Sequence, residues 1–237
     1  MKRKQVIPAI IAAFFILFPL VVKSHYYQHL VILALMWVII GGSWNLLAGY
    51  TGQVSFGHAV FFGIGAYTAG ICASKLGISA WWGMLFGGFT GALVGLLIGW
   101  ICFRLRGPYF ALATIAAGEI FRLIATNWES LTDGMVGILI IQTFRSKLPY
   151  YYLALALAVA SIWIFDLVMK SKLGFYFVSI REDQDAAESL GINAALYKNI
   201  SLLISSFFTG LAGAFYMNYM AFIDPEVVFS LHYISIM

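Results

Sequence analysis

Seven stretches of predominantly apolar residues constrain this chain more than any other feature. They lie at 6–22, 30–48, 59–74, 81–103, 108–126, 150–169 and 199–222. A helix needs about 20 mostly apolar residues to cross a bilayer. Because 62% of the residues are hydrophobic and only 10% are charged, a water-soluble domain of this length cannot bury the apolar surface. The pattern predicts an all-α, polytopic integral membrane helix bundle with about seven spans, forming a single domain over 1–237.

The positions of Lys and Arg predict which end of the bundle faces the cytosol. With a cytoplasmic N-terminus, the cytosolic side holds nine cations: Lys2, Arg3, Lys4, Arg104, Arg106, Lys170, Lys172, Arg181 and Lys198. The opposite side then holds four: Lys23, Lys75, Arg145 and Lys147. Since Lys and Arg near span ends favour the cytosol, this bias predicts a cytoplasmic N-terminus. The net charge of +4 therefore reflects orientation among membrane lipids, and we expect no nucleic-acid partner.

Glycine recurs at every fourth residue of the segment 81–103. The five positions are Gly83, Gly87, Gly91, Gly95 and Gly99. Small residues at this spacing line one face of a helix and let the backbone of another helix approach closely. Because lipid supplies no hydrophobic force between helices, we interpret the glycine stripe as a packing surface with a structural role.

Three smaller features belong to the membrane part of the chain. The apolar patch at 135–144 is too short to cross, so we expect it to be re-entrant or interfacial. Cys72 and Cys102 lie in apolar segments without metal-ligand spacing around them, and we expect buried thiols, no disulfide and no metal. The residues after Pro225 are too few to span and too apolar for a tail. We therefore expect either a truncated C-terminus or a last helix that needs a partner.

A polar segment at 170–198 separates the last two predicted spans. Within it, residues 181–191, REDQDAAESLG, are typical of a short isolated helix. We expect Asp183 to cap its N-terminus, Asp185 to interact favourably with the first-turn dipole, and Gly191 to adopt the left-handed conformation that ends it.

The same short helix is expected to dock on another surface. Ala186, Ala187 and Leu190 give it a small apolar face at i, i+1 and i+4. Two turns of helix are unstable alone in water. We interpret the helix as a knob that fits a cleft on a cytosolic partner. The alternative is a solvated loop whose charges keep it out of lipid.

The block GYTGQVSFGH at 49–58 is unusual for a membrane segment, because glycines interrupt the apolar run among hydrogen-bonding side chains. Irregular backbone at membrane depth persists only where protein or a water-filled cavity satisfies it. In transporters, broken helices present their ends to substrate carboxylates and ions. The block is therefore either part of a translocation path or a simple interfacial turn between two spans. The candidate path residues are Gly52, Gln53, Ser55, Gly57, His58 and, on the 108–126 helix, Thr114.

Four polar side chains within the spans have both structural and functional interpretations. Ser55 and His58, at i and i+3, suggest a nucleophile and a base, but no acid at suitable spacing completes the set. A helix-end histidine bonded to nearby backbone is the simpler interpretation. Glu119 and Arg122 lie one turn apart in a predicted span, where ionisable residues commonly mark function. We favour a structural intramembrane ion pair, because pairing inside the bundle satisfies both charges.

Two membrane blocks resemble the permease subunits of the high-affinity branched-chain amino-acid ABC importers. LLAGYTGQVSFGHAVFFGIGAYTAG, at 46–70, resembles the most characteristic membrane segment of that family. RLRGPYFALATIAAGEIFRLI, at 104–124, resembles the segment that follows two spans later. The resemblance extends over about 46–225, with the blocks in the order found in the family.

The polar segment carries a third resemblance. Its run DAAESLG looks like the EAA signature of ABC-importer permeases, with Asp in place of the leading Glu. In that family this loop forms the coupling helix, which sits in a groove of the ATP-hydrolysing subunit. The resemblance implies an ATPase-coupling role for Arg181, Glu182, Asp183, Asp185, Ala186, Ala187, Leu190 and Gly191.

The resemblance implies a permease subunit that moves branched-chain or other hydrophobic amino acids across the bacterial inner membrane. The partners it implies are two ABC ATPase subunits, a homologous second permease subunit and an extracytoplasmic substrate-binding protein. The chain contains no GxxxxGK[ST] loop, so we expect no catalytic residues, no cofactor, and ATP bound by the partner. The alternatives are a permease for urea or short amides, a self-sufficient channel or secondary transporter, and, least favoured, an intramembrane enzyme using Ser55, His58 or Glu119.

Overall fold

A computed structural model describes residues 15–22, 24–103 and 108–229, and this part of the chain is almost entirely helical. In chain order the elements are α1 (His25–Asn45), a π-helical turn (Leu46–Tyr50), α2 (His58–Ser74), α3 (Ala80–Cys102), α4 (Pro108–Asn127), α5 (Glu129–Thr132), a 3-10 turn (Gly134–Val136), β1 (Ile138–Leu139), α6 (Lys147–Lys170), α7 (Lys172–Glu182), α8 (Gln184–Ser189), α9 (Ala194–Met220), β2 (Phe222–Ile223) and α10 (Pro225–Val228).

Five helices among the described residues are long and apolar enough to cross a membrane: α1 with its π-helical turn, α3, α4, α6 and α9. Helix α2 corresponds to the predicted span at 59–74 and is apolar, but it has only 17 residues. Of the predicted span at 6–22, the part before residue 15 lies outside the described residues, and 15–21 is helical. The chain is therefore an all-α polytopic membrane protein.

Helix α9 lies at the centre of the bundle, packed against α1, α2 and α3, while α6 packs on the far side of α1. All five glycines of the predicted stripe on α3 are buried. At Gly91, an added Cβ would lie 2.9 Å from the Ser206 carbonyl oxygen and 3.1 Å from the Gly210 Cα, both on α9. The missing side chain is what allows the two backbones to approach this closely.

Three helix backbones meet at one level of the bundle, at Gly65 of α2, Gly87 of α3 and Gly210 of α9. A Cβ on Gly87 would lie 2.7 Å from the Gly65 carbonyl oxygen, and one on Gly210 would lie 2.6 Å from the Gly87 carbonyl oxygen. These three positions therefore lock α2, α3 and α9 into a single packed unit. The stripe on α3 was predicted from its spacing, whereas its two partner glycines were not.

The two ends of the bundle differ in structure. At one end β1 pairs antiparallel with β2, Ile138 opposite Ile223, and Lys75 forms a 3.0 Å ion pair with Asp133. We call this the β-pair end. The predicted apolar patch at 135–144 lies here, with the end of a 3-10 turn and β1 in its first half and irregular backbone over 140–144. The other end, which carries α7, α8 and the first turn of α9, is the α8 end.

The close contact at Gly91 predicts that two glycine-to-alanine substitutions differ in their effect on the free energy of unfolding. Gly91→Ala should lower the free energy of unfolding by about 1–3 kcal/mol, because the new methyl forces α3 and α9 apart. Gly41→Ala, in α1, meets nothing within 4 Å and should be neutral or stabilising by up to about 1 kcal/mol. Thermal unfolding of the purified chain in detergent measures both. Equal changes in the free energy of unfolding in the two variants would show that the Gly91 contact does not restrict how closely α3 and α9 approach.

Candidate functional site

The polar segment folds into two helices rather than one. Helix α7 ends at Glu182, the backbone of Asp183 is extended (φ −156°, ψ 108°), and α8 begins at Gln184. Arg181 and Glu182 therefore belong to α7, which was not predicted, whereas the predicted start of α8 after the Asp183 cap is confirmed. The physical reason is the cap itself: the Asp183 carboxylate accepts a hydrogen bond from the Ala186 N–H at 3.0 Å, which requires non-helical backbone at Asp183.

Helix α8 is held in place by its own chain. Ala187 is buried among Ile180 of α7 and Ala194 of α9, and the Lys198 ammonium donates a 2.7 Å hydrogen bond to the Gln184 side-chain oxygen. The helix ends at Ser189, and Gly191, two residues beyond, has φ +85°, the left-handed conformation expected there. A helix of six residues is thereby given a fixed position that it would not have alone in water.

The outer surface of α8 is exposed. Leu190 is 83% exposed, and Ala186 and Asp185 are exposed beside it. Ala187 does not share this surface, because neighbouring helix residues point about 100° apart and Ala187 faces α7. The predicted three-residue apolar face is therefore divided: one alanine anchors α8 to the chain, while Ala186 and Leu190 project outwards among acidic side chains.

The irregular segment between α1 and α2 lies at the α8 end, and side chains of its own chain satisfy much of its backbone. After the π-helical turn, the hydroxyls of Thr51 and Ser201 lie 2.9 Å apart and within 3.1 and 3.3 Å of the Leu46 carbonyl oxygen. The Trp44 indole N–H donates to the Ser55 carbonyl oxygen at 2.9 Å. We call residues 46–57 the helix break.

The structure brings four of the predicted path residues together around the end of the helix break. The Thr114 hydroxyl accepts a hydrogen bond from the Phe56 N–H at 3.1 Å, and Gly57 packs directly on Thr114. The Ser55 hydroxyl accepts a hydrogen bond from the Gly57 N–H at 3.1 Å. Ser55, Gly57, His58 and Thr114 are buried. Gly52 lies apart from them, against Arg181, and Gln53 is half-buried.

His58 is bonded to a side chain of α9, neither to Ser55 nor to the nearby backbone that was expected. Its Nε2 lies 2.8 Å from the Ser205 hydroxyl, and that hydroxyl donates to the Ser43 carbonyl oxygen at 2.7 Å. Because Ser205 uses its proton on Ser43, the His58 Nε2–H must be the donor in the first bond. The pair Ser55 and His58 is thus engaged in separate structural hydrogen bonds, and neither is positioned to activate the other.

The ion pair between Glu119 and Arg122 forms, but it faces away from the described bundle. The Arg122 Nε lies 3.0 Å from a Glu119 carboxylate oxygen, and the two side chains are 28% and 49% exposed. The predicted pair therefore forms on a spanning helix, and it remains partly exposed in this chain because α4 lies at the edge of the bundle. Charged side chains facing lipid are costly, so this surface of α4 requires protein or water against it.

Some features were not predicted from the sequence. Ser201, Ser205 and Thr209 recur every fourth residue along α9, a spacing that could have predicted a polar row on this helix. Ser201 contacts the helix break, and Ser205 contacts Ser43 and His58. A cavity of about 220 Å³ at the β-pair end has no such signal, because its lining comes from separate segments: His29, Gln142, Phe144, Arg145, Ser146, Lys147, Tyr150, Tyr219 and Met220. Among the described residues, no group of three or more His, Cys, Asp or Glu could hold a metal, and Cys72 and Cys102 are buried free thiols.

Comparison with known proteins places the chain beside amino-acid permeases. Residues 7–237 match the family model for the permease component of branched-chain amino acid transport systems. The high-affinity branched-chain amino acid transport system permease protein LivM of Escherichia coli is 30% identical over 224 residues, which cover 82% of this chain and 53% of the relative. LivH of the same organism is 24% identical over 222 residues, covering 81% and 72%.

The extent of these matches is uneven. The chain spans about half the length of the LivM relatives, including that of Salmonella typhimurium at 29% identity, and more of LivH. No solved structure matches the chain. The matches therefore identify a family of membrane permeases for most of this sequence, whereas the architecture described above rests on the chain's own structure.

The hydrogen bond between Thr114 and Phe56 should control the stability of the helix break. Thr114→Val keeps the shape but removes the acceptor, which leaves the partly buried Phe56 N–H without its partner at a cost of about 0.5–1.5 kcal/mol. Hydrogen exchange at the Phe56 amide should then become at least about twofold faster. Thr114→Ser keeps the hydroxyl and serves as the control. Unchanged exchange in the valine variant would show that α4 does not hold the break.

Proposed function

The chain belongs to the family of permease components of branched-chain amino acid transport systems, and from this membership we propose that it is a membrane-spanning subunit of an ABC importer. It would carry branched-chain amino acids across the bacterial inner membrane. The structural observation that best supports this role is helix α8, a short capped helix fixed to the bundle with an exposed outer surface. A surface of this kind suits the groove of an ATP-hydrolysing partner.

In this proposal the chain changes conformation, and the partner catalyses ATP hydrolysis. Two ABC ATPase subunits bind and hydrolyse ATP, and α8 moves with the subunit that it contacts. The bundle then shifts between outward-open and inward-open states, and binding at one site changes the equilibrium at the other. The chain has no ATP-binding loop of the GxxxxGK[ST] type, so no cofactor or catalytic residue is assigned to it.

We further propose seven spans with the N-terminus in the cytosol. Five spans are supported by helix length and composition, and α2 and the segment at 6–22 would supply the others. The α8 end is then cytosolic, as a contact with an ATPase requires. It carries Lys170, Lys172, Arg181 and Lys198, whereas Lys75 and Lys147 lie towards the β-pair end. This distribution follows the preference of cations for the cytosolic side.

The exposed surface of α4 supports a second partner in the membrane. Glu119 and Arg122 on that surface cannot remain against lipid without a large cost. A homologous permease subunit, with water between the two subunits, would shield this ion pair from lipid. The matches to both LivM and LivH agree with a pair of related subunits. An extracytoplasmic binding protein would then meet the β-pair end.

Uptake by reconstituted importer tests the function directly. Proteoliposomes that contain the chain, its sister permease, the ATPase subunits and the binding protein should accumulate leucine only when ATP is present. Excess isoleucine or valine should compete, and urea or acetamide should not. Leucine uptake by the chain alone, without ATPase, would instead identify a channel or secondary transporter. Competition by urea would reassign the substrate to short amides.

A second test uses a matched pair of glycines with left-handed backbone. Gly191 has φ +85° beside α8, and Gly77 has φ +62° in the loop between α2 and α3; both have open space around them. Valine at either position strains the backbone by about 1–3 kcal/mol. Gly191→Val should reduce leucine uptake at least tenfold, while Gly77→Val should leave it near the unmodified level.

Asp185→Lys provides an independent version of the α8 test, since it reverses a charge on the exposed surface without straining the backbone. We expect loss of ATPase binding or of coupled uptake, measured by co-purification and by uptake relative to ATP hydrolysis. Normal uptake in both the Asp185 and Gly191 variants would remove α8 from the coupling role. Equal loss in the Gly77 variant would attribute the Gly191 effect to folding.

A further inference from the structure

We infer that Arg181 is a positioning residue that transmits movement of helix α8 to the helix break between α1 and α2. This inference rests on the proposed function and gives Arg181 a different role from direct contact with an ATPase. The Arg181 side chain is 40% exposed at the α8 end of the bundle and contacts the backbone of the helix break from there. It holds the backbone of Gly49–Gly52, where the chain leaves α1 and has not yet entered α2.

The contact between Arg181 and the helix break has two parts. The Arg181 Nη1 donates a 3.0 Å hydrogen bond to the Gly49 carbonyl oxygen. The aliphatic stem packs on Gly52, where an added Cβ would lie 3.0 Å from the Arg181 Cγ and 3.4 Å from its Cα. Gly52 also has φ +72°, a conformation that favours glycine. Arg181 thus contacts both ends of the four-residue segment 49–52 of the helix break.

A neighbouring carboxylate fixes the direction of the guanidinium group. Glu182 accepts hydrogen bonds from the Arg181 Nε at 3.0 Å and from its Nη2 at 2.5 Å. These two hydrogen bonds use the Nε and Nη2 edge of the planar guanidinium group and leave Nη1 to donate to the Gly49 carbonyl oxygen. Lysine has a single charged nitrogen and cannot make both connections with the same geometry.

Arg181 is linked rigidly to α8. It lies in the last turn of α7, two residues before the Asp183 cap, and Ala187 of α8 packs on Ile180, the residue before Arg181. The end of α7 and the start of α8 therefore pack together as one unit. A displacement of α8 carries the Arg181 backbone with it.

The helix break is an element that such a displacement can rearrange. It begins with a π-helical turn over Leu46–Tyr50, a rare geometry that is often found at functional sites. From there, Thr51 contacts Ser201 of α9 and Phe56 bonds to Thr114 of α4. These bonds connect the exposed surface of α8 to two spans through a continuous chain of contacts, a route by which coupling between distant sites can be carried.

The test uses the complete importer in proteoliposomes, with Arg181→Gln and Arg181→Lys compared with Lys172→Gln. Lys172 is an exposed cation at the other end of α7 and controls for loss of charge. We expect both Arg181 variants to co-purify with the ATPase subunits and hydrolyse ATP, while leucine uptake falls at least tenfold. Lys172→Gln should retain uptake. Uptake near the unmodified level in both Arg181 variants would overturn the inference.

A cysteine probe separates transmission from a merely structural role. Gln53→Cys places a thiol in the half-buried part of the break, and Cys72 and Cys102 are buried, so they add little background. Thiol labelling should change at least threefold between nucleotide-free and ATP-trapped importer, and this response should disappear when Arg181→Gln is added. An unchanged response in the double variant would contradict the proposed transmission.

Hydrogen exchange on the purified chain tests the contact without any partner. Arg181→Gln should accelerate exchange of the backbone amides across 49–56 at least fivefold, whereas Lys172→Gln should not. If the unmodified chain fails to assemble with an ABC ATPase but shows this difference, the proposed function fails and the contact stands. If the importer works and the amides are unaffected, the function stands and the role of Arg181 fails.

Discussion

The close approach of three helix backbones at Gly65, Gly87 and Gly210 is the constraint on which the rest of this structure depends. Lipid exerts no hydrophobic force that would hold membrane helices together, so their association relies on packing and polar contacts. With a carbonyl oxygen of α3 as near as 2.6 Å to the position of an added Cβ on α9, no side chain larger than hydrogen fits without separating the helices. The result is a rigid unit of α2, α3 and α9.

That rigid unit determines where polar groups can be placed. Because α9 is buried on several sides, its hydroxyl groups at Ser201 and Ser205 occupy fixed positions facing α1 and the helix break. Irregular backbone in a membrane protein requires partners of this kind. The helix break is therefore a defined structure with specified hydrogen bonds. Its location at the α8 end brings it within reach of Arg181.

The features that could be predicted from the sequence are local to one segment of the chain. The features that could not be predicted depend on how the helices are rotated relative to each other. The glycine stripe, the Asp183 cap and the left-handed Gly191 each follow from residues close together in the chain. Spacing within one helix cannot show which of its faces meets a neighbour. For that reason the inward position of Ala187 and the outward position of the Glu119–Arg122 pair were missed. The contact between Arg181 and Gly49 joins residues 132 positions apart, so no local pattern contains it.

The contrast between the packed unit and α4 indicates where a conformational change can be accommodated. Close-packed interiors resist deformation and transmit displacement, so α2, α3 and α9 are expected to move together. Helix α4 has few contacts with them, yet its Thr114 is bonded to the helix break. A displacement of the helix break is therefore more easily accommodated by movement of α4 than by repacking of α2, α3 and α9. Since the same helix presents Glu119 and Arg122 outwards, its movement would alter the surface that the proposed second permease subunit covers.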